Sequence, residues 1–332
     1  MRKAMYKNSE INWGILGTAR IARKRMIRAI QQSEGNICLA IASRSENRAK
    51  EVAEEFGIPK YYGSYEELID DPEIDAVYIP LPNSIHHPWV IRTAKKGKHI
   101  LCEKPLACNL SQVQEMVHVC QRQNIVLLEA FSYFLHPQYT KLNELLKDKI
   151  IGEINLIQVY FSFPAQKEHA IRFQSELGGG TLLDIGCYGI DFVQQIYNQK
   201  PQNLDALFKI ENEVDVEFLG LIKFSDNKEA IIRTSFLQDR KQTLLLYGEK
   251  GNIFLPNAFI PTDDKAFLLI KTQTNSWIEE IENVDVDQYG LLVQLFRKLI
   301  LSKQNMGVFY ERYLRNIWTM EDFFKIIRDN EV

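Results

Sequence analysis

The sequence predicts a two-domain α/β protein, in which a doubly wound parallel sheet is followed by an α/β domain with a mainly antiparallel sheet. Up to about residue 131, short apolar runs alternate with amphipathic segments, which is the rhythm of β-α-β units. Beyond residue 150, apolar runs follow one another with only short turns between them, which favours antiparallel pairing. The chain has 332 residues, more than the ~250–300 at which a single core stops growing. We therefore expect one domain over residues 1–130 and a second over residues 131–332.

The individual elements follow from the same patterns. In the first domain we expect a helix over Glu46 to Phe56 and strands over Ile11 to Gly17, Ile37 to Ala42, Ala76 to Pro80, His99 to Cys102 and Ile125 to Phe131. In the second domain we expect helices over Pro137 to Lys147 and Thr181 to Tyr197, and strands over Ile154 to Phe163, Val216 to Phe224, Ala230 to Phe236 and Thr243 to Tyr247. The last ~45 residues return to helical periodicity.

Composition excludes several classes of partner and site. The net charge is −3, and no basic run interleaved with aromatic residues is present, so neither nucleic acid nor a membrane is an expected partner. Five scattered cysteines without a Cys-x-x-Cys pair indicate neither a disulfide framework nor a thiolate metal site. The segment Met1 to Glu10 lacks the apolar core of a signal peptide. We therefore expect a cytoplasmic protein without a bound metal.

The first expected strand is followed by Gly17-Thr18-Ala19-Arg20-Ile21-Ala22, in the place of a dinucleotide-binding fingerprint. Alanine stands at the second and third glycine positions, so the match is incomplete. Such a turn lets a pyrophosphate sit on a helix N-terminus, and the alternative is an ordinary strand-to-helix turn. The second strand ends in Ser43 and Arg44, where an NAD-selective site carries an acid for the ribose. A hydroxyl and a guanidinium could instead hold a 2′-phosphate, although a solvated loop arginine would look the same.

Two further motifs lie at expected strand ends. Pro80-Leu81-Pro82-Asn83-Ser84-Ile85-His86-His87 follows the third strand, and Cys102-Glu103-Lys104-Pro105 ends the fourth. The residue before a proline is held extended, so Lys104 is presented rigidly to the crevice beyond the sheet. Taken singly, the first motif could also be an ordinary turn and helix cap, and the lysine of the second could be an ordinary solvent-exposed side chain.

A third motif carries an acid and a phenol. Asp184 and Tyr188 lie four residues apart after the run Gly178-Gly179-Gly180, a spacing that places both side chains on one helix face. An acid beside a tyrosine is what proton transfer requires, but the same pair could be a structural hydrogen bond.

Together, the segments GTARIA, LPNSIHH, GKHILCEKPLA and RFQSELGGGTLLDIGCYGID occur in this order over essentially the whole chain. The chain thereby resembles the glucose-fructose oxidoreductase, inositol dehydrogenase and MocA family. It is most similar to the branch with dimeric dihydrodiol dehydrogenase and NADP-dependent D-xylose dehydrogenase, because Tyr188 stands where the inositol dehydrogenase branch has histidine. The resemblance implies a Rossmann domain that binds a nicotinamide cofactor, followed by a domain with a large open sheet that carries the substrate site and forms a homodimer or higher homo-oligomer.

The resemblance also assigns residues. The catalytic group would be Lys104, Asp184 and Tyr188, with Arg172 as a substrate or cofactor contact. Independently of the resemblance, the aromatic residues Phe131, Tyr133, Phe134 and Phe163 would suit a neutral ring or sugar face, which makes Tyr133 and Phe163 candidate substrate contacts, with core packing as the alternative. The cofactor would be NADP, with NAD as the alternative, held by Gly17, Thr18, Ala19, Arg20, Ile21, Ser43, Arg44, Pro80, Leu81, Asn83, His86, Glu103 and Lys104. Hydride transfer at a carbonyl carbon leaves alkoxide charge that must gain or lose a proton. Tyr188 would be that acid or base, with the Lys104 ammonium favouring its phenolate form. Asp184 would orient a substrate hydroxyl or the lysine.

One departure and two alternatives remain open. Where many relatives read Tyr-Arg-Phe-His-Pro, this chain has Phe134 in place of the arginine. The expected substrate is a small neutral sugar, polyol, dihydrodiol or dicarbonyl, whose identity depends on loops such as Gln166 to Gln174. A non-catalytic nucleotide sensor on the same scaffold, or an enzyme that recycles a tightly held cofactor, would fit the same motifs.

Overall fold

The computed structural model describes residues 10–166, 171–261, 266–281 and 286–330. Its strands are β1 (Ile11–Leu16), β2 (Asn36–Ala42), β3 (Lys60–Tyr62), β4 (Ala76–Ile79), β5 (His99–Cys102), β6 (Leu127–Glu129), β7 (Ile154–Ser162), β8 (Asn203–Glu211), β9 (Val214–Lys223), β10 (Glu229–Ser235), β11 (Lys241–Gly248), β12 (Gly251–Leu255), β13 (Ala266–Thr272) and β14 (Ser276–Ile281). Its helices are α1 (Ile27–Gln32), α2 (Glu46–Phe56), α3 (Tyr65–Asp70), α4 (His86–Lys95), α5 (Leu110–Gln123), α6 (Pro137–Lys147), α7 (Cys187–Tyr197), α8 (Gln288–Ser302) and α9 (Gly307–Asn330). The polar start of the chain up to residue 9, and residues 167–170 of the expected selectivity loop, lie outside the described residues.

The chain forms two compact units. Of the described residues, unit 1 comprises those within Met1–Ala107, Ser111–Ser132 and Asp287–Tyr313, and unit 2 comprises the remainder. Helix α8 therefore belongs with unit 1, although the rhythm of the sequence placed it in the second domain. The reason is packing, because the Phe296 ring of α8 lies 5.0 Å from the ring of Trp13, which is fully buried in β1. The predicted domain ranges remain a prediction.

Unit 1 is built on six parallel strands in the order β3-β2-β1-β4-β5-β6. This confirms the predicted doubly wound sheet. The central strands are buried on both faces, as Ile15 in β1 and Val77 in β4 show. The direction of strand order changes between β1 and β4, and ligands of such sheets bind beyond the carboxyl ends of the strands at that point. Within the described residues, no helix combines the length and apolar character needed to cross a bilayer.

Unit 2 is built on eight strands in the order β14-β13-β12-β11-β7-β10-β9-β8. Neighbours are antiparallel except β7 and β10, which run parallel, so the expectation of a mainly antiparallel sheet is confirmed. One face is covered by α7, which approaches closely at Gly189, where an added Cβ would stand 2.9 Å from Ile232 and 3.0 Å from Val159. The other face carries an apolar row, formed by directly paired residues of four adjacent strands, Leu245, Phe254, Leu269 and Ile278.

Candidate functional site

The turn after β1 requires a glycine. Gly17 has φ +93°, and a Cβ there would lie 3.1 Å from Cδ2 of Leu81. Its amide donates to the Ala42 carbonyl at 2.8 Å, which ties the turn to the end of β2. A π-helical turn over Ala22–Met26 follows and leads into α1. The first amides of a helix have no partner within it, so this turn is suited to a phosphate. Ala22, at the third glycine position of the fingerprint, is fully buried, so a methyl group packs at this position.

The residues after β2 converge on the same turn. The Tyr65 hydroxyl lies 3.5 Å from the position of a Cβ on Gly17 and is hydrogen-bonded to Arg44. Burial raises the pKa of Tyr65, and the Arg44 guanidinium opposes this shift. The Ser43 hydroxyl accepts a hydrogen bond from the Ser45 amide at 3.3 Å. Sequence reasoning missed Tyr65, because nothing local marks a residue that reaches this turn from α3.

A cationic cavity of about 460 Å³ lies beside the turn. Arg48, one turn into α2, was also missed, although its place shortly after Ser43 was a usable signal. Arg23 is neutralised by Glu55 at 2.7 Å. The cavity is lined by Thr18, Arg20, Arg23, Lys24, Arg28, Arg48, Glu55 and Phe56. A glycine turn next to a hydroxyl and several guanidinium groups fits a cofactor that carries phosphates.

His86 connects the two strand-end motifs. Its ring is fully buried, with Nδ1 3.0 Å from the Pro105 carbonyl oxygen and Nε2 2.8 Å from that of Leu81. Burial lowers the pKa of His86 against the effect of the two carbonyls, which favour a proton on the ring. The side chain therefore holds the loops that carry Leu81 and Lys104. This differs from the direct cofactor contact assigned to His86 from the sequence, because both ring nitrogens are used within unit 1. Asn83, two residues after Leu81, begins a short 3₁₀ turn.

The Glu-Lys-Pro motif is fixed by a hydrogen bond from β4. Glu103 accepts a hydrogen bond at 2.5 Å from the hydroxyl of Tyr78, whose side chain is fully buried in β4. Burial, and then the Glu103 carboxylate, raise the pKa of Tyr78 well above its usual value. Tyr289 of α8 lies near the same motif. Burial is the main cause of its raised pKa, the Glu103 charge raises this pKa further, and the Lys104 charge lowers it. Lys104 itself is half-buried. Sequence reasoning did not identify Tyr289, which lies far along the chain.

In unit 2 the structure brings Arg172 and Asp184 together. Arg172 donates through Nε to the Asp184 carboxylate, and its guanidinium lies 5.3 Å from the Phe163 ring. The glycine run makes this possible. The Gly180 amide donates to the Arg172 carbonyl at 2.9 Å, and a Cβ on Gly179 would lie 2.6 Å from that same oxygen. Arg172 thus orients the carboxylate that was predicted to orient a substrate hydroxyl.

The segment carrying Asp184 and Tyr188 is not one regular helix. Leu182–Gly186 is a π-helical turn, and α7 starts directly after it. The prediction of a single helix from Thr181 was therefore wrong in detail. Turns of this type cluster at functional sites. Tyr188 is half-buried, and its ring lies 5.3 to 5.9 Å from three aromatic rings, those of Tyr133, Phe161 and Phe259.

Tyr133 does not match its predicted role as a substrate contact. The side chain is 1% exposed, and its hydroxyl donates to Asp191 at 2.5 Å and accepts from Gln195 at 2.9 Å. The hydroxyl is thus used in the core of unit 2, beneath the Tyr188 ring. Phe163, by contrast, is only half-buried, and its ring lies 5.5 Å from that of Phe236.

The described residues contain no group of three or more His, Cys, Asp or Glu side chains that could hold a metal ion. All five cysteines lie within the described parts of the chain, and none forms a disulfide there.

Comparison with known proteins identifies both halves of the chain. Residues 11–131 match the family model described as "Oxidoreductase family, NAD-binding Rossmann fold". Residues 139–254 match the model of the "GFO/IDH/MocA C-terminal domain".

Two named relatives and a solved structure are similar to most of the chain. It is 38% identical to D-xylose 1-dehydrogenase (NADP⁺) 2 of Haloferax volcanii, over 94% of this chain and 96% of that protein. It is 35% identical to trans-1,2-dihydrobenzene-1,2-diol dehydrogenase of Xenopus laevis, over 74% of this chain and 75% of the relative. The crystal structure of KijD10, a 3-ketoreductase from Actinomadura kijaniata in complex with NADP and TDP-benzene, superposes with a TM-score of 0.88 at 28% identity, covering 94% of this chain and 96% of that one.

Proposed function

We propose, from the premise that this chain belongs to the glucose-fructose oxidoreductase, inositol dehydrogenase and MocA family of oxidoreductases, that it is an NADP-preferring dehydrogenase or reductase. It would act on a CH–OH or carbonyl group of a small sugar, polyol, dihydrodiol or dicarbonyl. The observation that carries the proposal is the ion pair of Arg172 and Asp184, which the glycine run holds together. Asp184 lies one helical turn before Tyr188. Relatives named as a D-xylose dehydrogenase and a dihydrodiol dehydrogenase support this substrate range.

The cofactor preference rests on unit 1. The Gly17 turn and the first amides of the following helix would hold the pyrophosphate. Ser43, Arg44 and Arg48 would hold the 2′-phosphate, a contact that favours NADP over NAD. When bound, the nicotinamide supplies or accepts the hydride. The NADP in the related KijD10 structure supports this choice.

The chain's own groups would manage the proton. In the oxidation direction Tyr188 Oη takes the hydroxyl proton of the substrate, and in the reduction direction it returns a proton to the carbonyl oxygen. The Lys104 ammonium would favour the phenolate form. Asp184, oriented by Arg172, would accept a hydrogen bond from a neighbouring substrate hydroxyl. The aromatic rings around Tyr188 fix its ring, so its hydroxyl has few alternative positions.

Cofactor titration tests the first half of the proposal. NADPH and NADH binding are followed by fluorescence for the unmodified protein, for Arg44→Ala, and for Arg122→Ala, an exposed residue of α5 that serves as the control. Loss of a charged phosphate contact weakens NADPH binding by roughly tenfold to a hundredfold. Arg44→Ala should show this loss for NADPH and little change for NADH. Equal or tighter NADH binding by the unmodified protein would contradict the preference.

Turnover tests the second half. Tyr188→Phe retains the ring contacts but loses the hydroxyl, so turnover should fall by about 10²–10⁴ while the urea unfolding midpoint is unchanged. Tyr247→Phe, on β11 of the same unit, is the matched control. Aldoses, polyols, dicarbonyls and dihydrodiols are screened by the absorbance of the reduced cofactor. Near-normal turnover by Tyr188→Phe would refute the assignment. Cofactor that stays bound on dialysis would favour internal recycling, and binding without any turnover would favour a sensor.

Oligomeric state and location are proposed as well. The outer face of the unit 2 sheet exposes Leu207, Leu221 and Ile278, to 71%, 44% and 57% respectively. Apolar side chains exposed on one sheet face favour cover by another chain, and we propose a homodimer through this face. The absence of disulfides among the described cysteines is consistent with the cytoplasm.

A further inference from the structure

Asp215 is a buried carboxylate that the proposed mechanism does not use. It is the second residue of β9 and is 3% exposed. Its Oδ2 accepts a hydrogen bond from the Thr181 hydroxyl at 2.6 Å and another from the Leu182 amide at 2.7 Å. Both donors belong to the start of the π-helical turn that carries Asp184. One oxygen of Asp215 therefore caps the helical segment that carries Asp184 and the proposed acid–base residue Tyr188.

The fit between cap and helix is tight. Gly180 has φ +107°, and a Cβ there would stand 2.0 Å from Oδ1 of Asp215. The carboxylate thus occupies the space that any larger residue at position 180 would fill. The Gly180 carbonyl in turn accepts from the Asp184 amide at 3.1 Å. A chain of direct contacts therefore leads from Asp215 through Gly180 to the backbone of Asp184.

The cap has an energetic cost. Burial raises the pKa of Asp215 to about 7, and the hydrogen bonds from Thr181 and Leu182 only partly offset it. A neutral cap such as a serine hydroxyl would accept at a helix N-terminus without that cost. Both donors meet Oδ2, while Oδ1 lies against Gly180. Asparagine would put an NH2 group, which cannot accept a hydrogen bond, in one of these two places.

We propose that Asp215 is a positioning residue, which sets the place of the first helical turn and thereby the places of Asp184 and Tyr188. The proposal rests on the function proposed above. Asp215 does not touch the substrate in this proposal, and it acts only through its contacts with residues 180–182, which precede Asp184. Displacement of a reacting group by about 1 Å can cost roughly 10²-fold in rate, so a small shift of this turn is sufficient.

The test compares Asp215→Asn with Asp205→Asn, a control on β8 whose carboxylate accepts from the Ala206 amide. For Asp215→Asn we expect kcat to fall by about 10- to 100-fold with KM for the cofactor unchanged. Amide hydrogen exchange at Leu182 and Asp184 should become roughly five- to tenfold faster, while α7 beyond Ile190 keeps its protection. Thr181→Val removes one donor and should give a smaller change of the same kind, and Thr181→Ser should restore both values.

Each outcome decides the question. Faster exchange with unchanged kcat would overturn the positioning role and leave a purely structural cap. Loss of protection throughout unit 2 would overturn it in favour of a role in global stability. If Asp215→Asn does not fold, Thr181→Val and Thr181→Ser decide by the same two measurements. If the unmodified protein turns over no substrate, the proposed function fails, and the exchange measurement alone decides the role of Asp215. Unchanged exchange at Leu182 and Asp184 in Asp215→Asn would then overturn the positioning proposal. Faster exchange confined to that turn would support its structural basis.

Discussion

Replacing Tyr133 by phenylalanine should destabilise unit 2 without weakening substrate binding. Its hydroxyl donates to Oδ2 of Asp191, which is fully buried and also accepts from Gln195 at 3.0 Å and, on Oδ1, from Asn316 at 2.7 Å. Phenylalanine keeps the ring and its contacts with Tyr188. The change therefore removes a hydrogen bond to a carboxylate, worth about 1.5–3 kcal/mol, and leaves the packing in place. We expect the free energy of unfolding to fall by about 2 kcal/mol.

Urea unfolding of Tyr133→Phe, Asp191→Asn and the double variant measures this effect. Because the two groups are in direct contact, the double variant should be more stable than the sum of the single changes predicts, with a coupling of about 1 kcal/mol or more. Tyr247→Phe again serves as the control. The substrate KM of Tyr133→Phe should stay within about twofold of the unmodified value. An unchanged unfolding midpoint together with a tenfold higher KM would refute the reasoning and restore Tyr133 as a substrate contact.

Three further outcomes are expected. Burial raises the pKa of Asp215 to about 7 in the folded state, against ~3.9 in the unfolded state, so the folded protein binds more protons between these pH values. Its free energy of unfolding relative to that of Asp215→Asn should therefore fall by about 3 kcal/mol from pH 5 to pH 8. Equal pH dependence of the free energy of unfolding in the two proteins would exclude this effect. Light scattering should give twice the 38.6 kDa chain mass, and Leu207→Asp with Leu221→Asp should halve it; a monomer at micromolar concentration would contradict the proposed dimer. Neutral substrates should be preferred to phosphorylated sugars, because Arg172 is paired with Asp184 and Phe134 adds no charge; a higher kcat/KM for a phosphorylated or nucleotide-linked sugar would reverse this expectation.

The parts of the fold that the sequence predicted are those with a strong local signal. Helix α2 has the predicted bounds because Ser45 caps its start and Gly57, at φ +64°, ends it. Helix α6 likewise begins at the predicted Pro137. The edge strands β3 and β8 were missed because they lack a continuous buried run. In β8 the polar residues Asp205 and Lys209 limit the apolar run to the three residues from 206 to 208, and Leu207 is exposed.

The site residues likewise divide into those with a strong local signal in the sequence and those without one. Gly17, Lys104, Asp184 and Tyr188 lie in short motifs whose spacing is visible in the sequence. The supporting residues Tyr65, Tyr289 and Asp215 come from distant parts of the chain, and no local pattern identifies them. Arg48 and Asp191 lie within five residues of Ser43 and Tyr188 and were missed although they are near these motifs. The same limit explains the prediction for Tyr133. Its aromatic neighbours favoured a substrate face, whereas its partner Asp191 lies 58 residues further along the chain.

The central position of β7 determines the order in which unit 2 can assemble during synthesis. Its two neighbours in the sheet are β10 and β11, and the pairing of Leu156 with Glu229 shows that the nearer one follows more than seventy residues later. A growing chain that has reached residue 225 therefore carries β7 with both edges unpaired. Its apolar side chains at Ile157, Val159 and Phe161 are then without their sheet. Such long-range pairing slows folding and leaves aggregation-prone intermediates exposed. Nascent chains of this protein should therefore depend on chaperones until β11 has left the ribosome.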